Sequence, residues 1–482
     1  MANSAAVGET GEPFPMSIER GKIMEFAAAT RSRNPSYWAD ERPPVPPTFL
    51  TTQMFWQEWA GAGASPWDAV ELDQKRGMHA EQEYWPARGR PATSPSGCGP
   101  RSRGRIDMDL RWSQREEEFR AGARAWLEVN VPRDLPSGNT RAGFAAHVDW
   151  ERTLHHARWG VVAWPERYGG RDATLWEWLI FEEEYYRAGG PPRVTQNGIF
   201  LLAPTLFEFG TPQQQDRFLP RMAAAADLWC QGWSEPGAGS DLAAVRSGAV
   251  RDEARQGWLL SGQKTWTTRG AFCTHLFGLF RTDPSAERHR GLTYFLVPLD
   301  TPGVTVRGFA RLDGDEEFAE VFFDNAFVPD ENVLGGVNQG WQVAMATTGS
   351  ERGLTLRSPG RFLRSADRLL DLYRARPAPA LRDRVVQAWI DAHAYQMFTL
   401  QQVTAIGDGA RPGAESSLNK LFWSELDVRL QETALDLLGE EAELDGPWAR
   451  GFLFSLAGPI YAGTNEVQRN VVAERVLGLP RK

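Results

Sequence analysis

The sequence predicts an α+β multidomain protein in which a helical domain, a β-barrel domain and a helical bundle follow one another. Its 482 residues exceed what one hydrophobic core usually supports, so several packed units are expected. Apolar residues recur at helical spacing after residue 106, short β-rich runs separated by turn residues begin near residue 228, and helical spacing returns from Gly340. The order of these three patterns predicts the fold class.

Four domains are expected along the chain. They are a truncated remnant with a linker (1–105), an N-terminal helical domain (106–227), a β-barrel domain (228–338) and a C-terminal helical bundle (339–482). The stretch 86–105 is rich in Gly, Pro, Ser and Arg and has almost no apolar residue to bury, which is typical of a linker. The first boundary is therefore placed at its end.

Composition excludes several classes of protein. A formal net charge of -9 argues against a nucleic-acid partner, which usually requires a basic face. Cys98, Cys230 and Cys273 are too few and too scattered for a disulfide framework, and no Cys/His cluster has zinc spacing, so no metal is expected. Neither a secretory signal nor a run of 18 apolar residues is found, which predicts a cytoplasmic protein without a membrane segment.

Two motifs in the β-rich region could bind a ligand. The first, GWSEPGAGSD from Gly232 to Asp241, is a Gly-rich loop whose backbone N–H groups can approach an anion or a ring closely, although such loops are more often simple turns. The second, KTWTTRG, places Trp266 on a predicted strand, where a tryptophan is more often a core residue than a cofactor contact.

These motifs, with FAEVFFDNAFVPDENVLGGVNQGW (Phe318 to Trp341) and IYAGTNEVQRNVVAERVLGLP (Ile460 to Pro480), resemble the acyl-CoA dehydrogenase family over residues 106–482. The resemblance implies the three-domain fold of that family and FAD as the cofactor. The implied reaction converts an acyl-CoA thioester into the trans-2-enoyl-CoA and passes electrons to an electron-transfer flavoprotein. A homo- or hetero-oligomer, either a dimer or a tetramer, is implied as well.

The resemblance also assigns contacts to the cofactor and the substrate. Trp266 matches the tryptophan that lies against the isoalloxazine, and Thr268 matches the threonine that hydrogen-bonds the ring near N5. The other expected cofactor contacts are Gln231, Gly232, Trp233, Ser234, Gly239, Ser240, Thr267, Thr464, Glu466 and Gln468. The expected substrate contacts are Ser240, Arg352, Tyr461 and Gly463.

The C-terminal motif departs from the family at the catalytic base. Medium- and short-chain members have a glutamate after the tyrosine, whereas this chain has Ala462, which cannot take a proton. The backbone N–H of Ala462 still matches the family's donor to the thioester oxygen. Isovaleryl- and long-chain-type members carry the glutamate on the first helix of the bundle, and Glu351 stands at the matching place, so the resemblance assigns Glu351 as the base. Without the resemblance, a solvated glutamate at a helix start, paired with Arg352 or favoured by the local helix dipole, is the simpler interpretation.

Two departures keep other functions open. The Arg-x-x-Phe-Gly stretch that helps a neighbouring subunit hold the FAD pyrophosphate is missing, and the Gln-x-x-Gly-Gly stretch aligns with DLLGE, Asp436 to Glu440. Together with Ala462, they favour a non-catalytic partner subunit of a heteromeric dehydrogenase, similar to the steroid-side-chain enzymes, whereas Glu351 and the intact flavin motifs oppose it. A flavin oxidase or monooxygenase on the same fold is a further alternative.

The front of the chain, residues 14–85, resembles the start of a MaoC-type hot-dog hydratase. The resemblance stops near Trp85, before the sheet of such a fold could be completed. Ser32 and Tyr37 stand where the family's hydratases use an aspartate and a histidine, so no hydratase activity is expected.

Overall fold

The computed structural model describes residues 112–351, 358–407, 409–410 and 413–480, and for residues 350, 351 and 358 it describes only the backbone. The predicted remnant and linker, the side chain of Glu351 and the whole of Arg352 therefore lie outside the described residues. All described residues belong to one unit of the chain, Gly104–Lys482.

Helices α1 to α5 precede the first strand. They are α1 Gln114–Asn130, α2 Arg141–His156, α3 Leu175–Arg187, α4 Ala203–Phe209 and α5 Pro212–Ala223, and a π-helical turn, Asn197–Leu202, leads directly into α4. Three of these helices begin with a capping box. The N-cap side chains of Ser113, Thr174 and Thr211 each accept a hydrogen bond from the backbone N–H of the third helical residue, whose own side chain accepts one from the N-cap N–H.

Eight strands form one sheet after these helices. They are β1 Trp229–Gly232, β2 Gly248–Asp252, β3 Gly257–Thr268, β4 His275–Arg281, β5 Leu292–Pro298, β6 Val304–Phe309, β7 Phe318–Pro329 and β8 Val333–Leu334. The order is β6-β7-β3-β2-β4-β5-β8, and β1 pairs in parallel with β4. Apolar side chains of the sheet share one buried cluster with α4 and α5, to which Leu296, Leu206 and Leu219 belong.

Helices α6 to α11 form the last part of the chain. They are α6 Gly340–Glu351, α7 Ser358–Ala375, α8 Arg382–Gly407, α9 Ser416–Leu438, α10 Pro447–Ser455 and α11 Asn465–Val471. Helices α7, α8 and α9 share a core that includes Phe362, Ala392 and Leu430. The predicted fold class, with helical domains on either side of a sheet domain, is confirmed, while the domain boundaries stay predictions.

None of the described helices combines the length and apolar character needed to cross a membrane.

Helix α6 packs outside the bundle core. Val343 and Ala344 belong to the same buried cluster as Leu206 of α4 and Tyr294 of β5. The helix therefore lies between the N-terminal helices and the sheet. Its last residue, Glu351, is brought to the end of that interface.

A buried ion pair fixes α2 against the segment that leads into the π-helical turn. Arg193 Nε donates to Glu151 Oε2 at 2.8 Å, and Arg193 Nη2 donates to Gly160 O at 2.8 Å. Glu151 Oε1 accepts from Val194 N at 3.0 Å. The two side chains are only 2% and 3% exposed, so neither charge can turn to solvent if the other is removed.

Replacing Arg193 with methionine should lower the free energy of unfolding by about 3–5 kcal/mol, because Glu151 would remain buried without its partner. Urea denaturation measures the change. Arg152→Met is the matched control, since it removes the exposed pair with Asp149 on the same helix (2.9 Å) and should cost less than about 1 kcal/mol. Equal losses in the two variants would contradict the role assigned to the buried pair.

Candidate active site

The Gly-rich segment begins with an acidic side chain that is held from several directions. Glu235 Oε1 accepts a bond from Lys264 Nζ at 2.8 Å, and the same carboxylate accepts from Arg246 N at 2.7 Å and Ser247 N at 2.9 Å. Lys264 Nζ also donates to Leu279 O at 2.6 Å. The start of the loop is thereby fixed to β3 and β4.

The pair is charged at neutral pH in spite of its burial. Lys264 is 0% exposed and the Glu235 side chain is 9% exposed. Burial opposes ionisation of Glu235, but the charge and hydrogen bond of Lys264, with backbone donors, bring the pKa of Glu235 below its usual range. Burial lowers the pKa of Lys264 to about 8, and the Glu235 carboxylate acts against this shift.

A β-bulge in β3 presents Trp266 at the surface. The register between β3 and β7 shifts between Lys264 and Thr267, so that Thr265 and Trp266 together oppose one residue of β7. Trp266 has a φ of 57°, a left-handed conformation that a bulky residue adopts only where its surroundings enforce it. Thr265 N donates to Ser234 O at 2.9 Å, which joins the bulge to the Gly-rich loop.

The surroundings of Trp266 fit the flavin ring that the resemblance implies. The indole is 60% exposed and meets Phe309 and Phe318 edge-on, with centroids 5.2 and 5.5 Å away, so a ring face is left open for a flat ligand. Thr267 Oγ1 and Trp233 Nε1 are buried and have no hydrogen-bond partner among the described residues. Buried polar atoms are normally satisfied, and a ligand could meet this need.

The Gly-rich loop is open on its outer side and lies next to a cavity. A Cβ added at Gly237 or Gly239 would meet no described heavy atom within 4 Å. Arg288 Nη2 donates to Asp241 Oδ1 at 2.7 Å, which ties the end of the loop to the connection between β4 and β5. That connection and the start of α6 line a cavity of about 430 Å³, whose walls include His289, Arg290, Asn338, Gln339 and Trp341.

A tight turn precedes α11 and contains the position of the missing glutamate. Ala462 and Gly463 have φ values of 57° and 78°. Gln468 Nε2 donates to Ala462 O at 3.1 Å, and the Thr464 hydroxyl caps α11. Within the described part of the chain, no acceptor engages the N–H of Ala462. The turn therefore offers a free backbone donor.

Polar contacts anchor the turn on both sides, and those around Asn465 are buried. Asn465 Oδ1 accepts from Lys420 Nζ at 2.8 Å and from Ser424 Oγ at 3.1 Å. On the other side, the guanidinium of Arg361 lies beside the hydroxyl of Tyr461. The Tyr461 side chain is 38% exposed, and the packing around its hydroxyl raises the pKa of that group against the opposing effect of the Arg361 charge.

A ring between two guanidinium groups connects the turn with the sheet domain. Arg361 lies over Phe454 at 5.7 Å, and Arg311, from the connection between β6 and β7, lies over the same ring at 5.3 Å. Strand β6 ends at Phe309, a neighbour of Trp266. This connection therefore links the exposed indole to the turn.

The position assigned to the base is at the C-terminal end of α6, so the alternative of a glutamate at a helix start is wrong. Residues four apart share a face of a helix, so position 351 is on the same face as Thr347. Thr347 Oγ1 lies 2.9 Å from Thr205 Oγ1 and 3.3 Å from Tyr294 Oη, and all three residues are buried. This face of α6 is thus turned toward α4 and the sheet.

The structure places the remaining predicted site residues on four segments. Gln231 and Gly232 end β1, Ser240 is exposed in the Gly-rich loop, and Glu466 is exposed on α11. Thr268 ends β3. The Gly-rich loop and β3 are in direct contact, as are the C-terminal turn and α11.

Motif comparison alone assigns no role to Glu235, Lys264, Arg311 or Arg361. The first two stand inside the quoted motifs, and the period-2 alternation of β3 is the signal that could have marked Lys264 as inward-facing. Arg311 and Arg361 lie outside every motif. Asp436, aligned with the glutamine of the pyrophosphate stretch, instead pairs with Arg384 of the same chain at 2.5 Å.

Three domain models of one family match the chain in sequence order. They are acyl-CoA dehydrogenase models for the N-terminal domain over residues 113–226, the middle domain over 230–326 and the C-terminal domain over 338–477. A FAS1-like dehydratase domain region matches residues 5–88, which confirms the resemblance of the front of the chain to a hydratase-type domain.

Curated relatives carry the same family name. Acyl-CoA dehydrogenase IpdE1 of Mycobacterium tuberculosis is 41% identical over 383 residues, which cover 76% of this chain and 98% of the relative. Acyl-CoA dehydrogenase FadE34 of the same organism is 38% identical over 352 residues, which cover 70% of this chain and 48% of the relative.

Solved structures agree in fold. The Tcur3481-Tcur3483 steroid ACAD is 26% identical with a TM-score of 0.71, and the match covers 78% of this chain and 100% of that chain. The ChsE4-ChsE5 complex from Mycobacterium tuberculosis is 25% identical with a TM-score of 0.66, and the match again covers 78% and 100%.

Replacing Lys264 with methionine should destabilise the protein by about 3–5 kcal/mol and weaken flavin retention, because Glu235 would be buried without a cation. Thermal unfolding and the absorbance of bound flavin measure the two effects. Arg307→Met, which removes an exposed contact with Glu320 of β7, is the control and should cost less than about 1 kcal/mol.

The double variant Lys264→Met with Glu235→Gln should recover part of the loss and also change the response to acid. The pKa of Glu235 is lower in the folded protein than in the unfolded chain, where it is about 4.3. The carboxylate therefore stabilises the folded protein fully above about pH 4.3, and this stabilisation is lost as the pH falls through the folded-state pKa. The double variant should lack that part of the acid dependence. A double variant as unstable as Lys264→Met would contradict the pairing.

Proposed function

Because the chain belongs to the acyl-CoA dehydrogenase family, and is therefore a flavoprotein oxidoreductase, we propose that it oxidises an acyl-CoA to the trans-2-enoyl-CoA with FAD as cofactor. The observation that carries the proposal is the combination of an exposed, strained Trp266 beside the Gly-rich loop with a C-terminal turn whose Ala462 N–H is free. The first arrangement suits a flavin and the second suits a thioester oxygen.

The cofactor would be held by the Gly-rich loop and the end of β3. Trp266 would lie against the ring, and Thr268 would hydrogen-bond its edge. When bound, FAD would supply the hydride acceptor for the β-hydrogen of the substrate. The other proposed cofactor contacts are Gln231, Gly232, Trp233, Ser234, Gly239, Ser240 and Thr267 on the ring side, with Thr464, Glu466 and Gln468 toward the adenine.

Removal of the α-proton requires two groups of the protein. An α-C–H beside a thioester is too weak an acid for a carboxylate unless donors stabilise the enolate oxygen. We assign that donor to the N–H of Ala462, which has no competing acceptor within the described chain. The α-proton passes to the carboxylate of Glu351 while the electron pair of the C–H bond moves toward the thioester oxygen.

The substrate would extend from this turn past the Gly-rich loop. Ser240, Arg352, Tyr461 and Gly463 are the proposed contacts. The cavity beside Arg288 has His289 and Arg290 in its walls, which suits the phosphates of CoA. The likeness to a steroid ACAD supports a steroid-derived acyl group over a linear one.

A multimeric assembly and an electron-transfer flavoprotein are the proposed partners. Val386, Trp389 and Ile390 are 44%, 39% and 47% exposed at helical spacing on α8, and an exposed apolar face of this kind suits a subunit contact. A solved relative, the ChsE4-ChsE5 complex, consists of more than one kind of chain. Either an identical or a related second chain would therefore cover this face.

A non-catalytic partner subunit is the second candidate, and Ala462 is the observation that favours it. Such a chain would need no base, because another subunit would supply the chemistry. The two candidates differ in whether the purified chain, alone or in its complex, reacts with substrate at its own flavin. Visible absorbance of the bound flavin, recorded with and without an acyl-CoA, distinguishes them.

The purified protein should be yellow from tightly but non-covalently bound FAD, and steroid-derived acyl-CoAs should bleach the flavin absorbance faster than linear ones. Anaerobic visible spectra with a panel of acyl-CoAs measure both effects. Slow reoxidation in air with rapid reoxidation by an electron-transfer flavoprotein would separate a dehydrogenase from an oxidase or monooxygenase. Protein that stays colourless with excess FAD would contradict the cofactor, and a flavin that no acyl-CoA bleaches would favour the non-catalytic subunit.

Replacing Glu351 with glutamine should slow substrate-dependent bleaching by at least about 10²-fold while flavin content persists, because the amide keeps the shape of the side chain and loses its basicity. Stopped-flow absorbance measures the rate. Glu351→Gly combined with Ala462→Glu should recover part of the activity if both positions reach the same proton. Bleaching of Glu351→Gln at the parent rate would rule out Glu351 as the base.

A further inference from the structure

We propose that Gln468 is a positioning residue that aims the Ala462 N–H at the thioester oxygen. This role is additional to the adenine contact proposed above for the same residue. The proposal rests on the proposed function, since it concerns the donor that stabilises the enolate. The observation behind it is the hydrogen bond from Gln468 Nε2 to Ala462 O at 3.1 Å.

The conformation of Ala462 determines where its N–H points. With a φ of 57°, the residue is in the left-handed region, which an L-residue with a Cβ disfavours. Rotation about the N–Cα bond of Ala462 to an ordinary negative φ would relieve this strain, and it would change the angle between the N–H and the carbonyl of this residue. The same rotation would turn the N–H away from its present direction, so the turn must be held by other contacts.

Gln468 supplies such a contact from inside the turn. Its amide nitrogen lies 3.1 Å from Ala462 O and 3.5 Å from Gly463 O. Gly463 has a φ of 78°, and a Cβ added there would come within 2.5 Å of Gln468 Nε2. The amide therefore fits closely against two successive peptides and holds their carbonyl groups.

Gln468 is itself held by its helix. Thr464 caps α11, and Asn465 at its first position accepts bonds from Lys420 Nζ at 2.8 Å and Ser424 Oγ at 3.1 Å of α9. The helix is thus fixed to the bundle, and its side chain at position 468 reaches back to the turn. The carbonyl of Ala462 is engaged in this arrangement while its N–H is left free for a ligand.

Exchange of the α-proton tests the proposal without completing the reaction. A 3-thia acyl-CoA has sulfur in place of the β-carbon, so it has an acidic α-proton but no β-hydrogen to give as hydride. FAD-loaded protein in D₂O should introduce deuterium at the α-carbon, measured by mass spectrometry. In Gln468→Met the exchange rate should fall by about 10²-fold, the loss expected when a reacting group is displaced by about 1 Å.

The control and a second variant separate positioning from folding. Gln387→Met removes the exposed bond from Gln387 to Asp391 on α8, 2.7 Å long, and should exchange at the parent rate. Gln468→Glu keeps the shape but replaces the donating amide with a carboxylate, so it should also lose exchange. It keeps the test valid if the methionine variant does not fold.

Glycine at position 462 provides a rescue. Gln468→Met combined with Ala462→Gly should recover part of the exchange rate, because glycine adopts a positive φ without the Cβ penalty. A residue that only contacted FAD would gain nothing from this change. Partial rescue with unchanged flavin content therefore supports positioning.

Several results would overturn the proposal. Exchange at the parent rate in both Gln468 variants would show that the amide does not aim the N–H. If loss of flavin accounts for the lost exchange, Gln468 acts by binding the cofactor. If glycine at position 462 gives no rescue, Gln468 acts by supporting the fold. A parent protein that binds FAD but exchanges no α-proton would contradict the proposed function together with this inference, whereas exchange that is insensitive to position 468 would contradict this inference alone.

Discussion

The buried pair of Lys264 and Glu235 is the contact on which the ligand-binding side of the molecule depends. Removing two charges from water is unfavourable unless further hydrogen bonds compensate. Here the lysine also donates to Leu279 O, and the carboxylate also accepts from Arg246 N and Ser247 N. The result is that the Gly-rich loop, β3 and β4 cannot move independently, and the bulge that exposes Trp266 begins next to this pair.

The other half of the site is held in a comparable way by contacts within the helical bundle. The turn at Ala462 is fixed by α11 and by the side chains around Tyr461, and Phe454 joins it to the connection between β6 and β7. Both halves contain a non-glycine residue with positive φ, Trp266 and Ala462. Strained backbone of this kind persists where rigid surroundings determine it, and it is often found at functional sites.

The order of helical and β-rich domains could be predicted from the sequence because hydrophobic period and turn residues are local signals. The motifs GWSEPGAGSD and KTWTT could be identified because each is contiguous, and the flavin contacts that they imply stay predictions. The bulge could not, since an extra residue between Lys264 and Thr267 changes the register without changing the alternating pattern around it. Arg311, Arg361 and Phe454 could not be predicted to meet, because they are far apart in sequence and belong to no motif.

The turn at Ala462 separates two tasks that a glutamate at this position would combine. A backbone N–H is present whatever the side chain, so the oxygen-binding donor is insensitive to substitution at position 462 as long as the turn keeps its shape. The proton acceptor, by contrast, can be supplied by any element that ends near the same carbon, and α6, which ends at Glu351, is the element that we propose. A family with this architecture can relocate its base from one helix to another in single substitutions, without rebuilding the part of the site that makes the proton acidic.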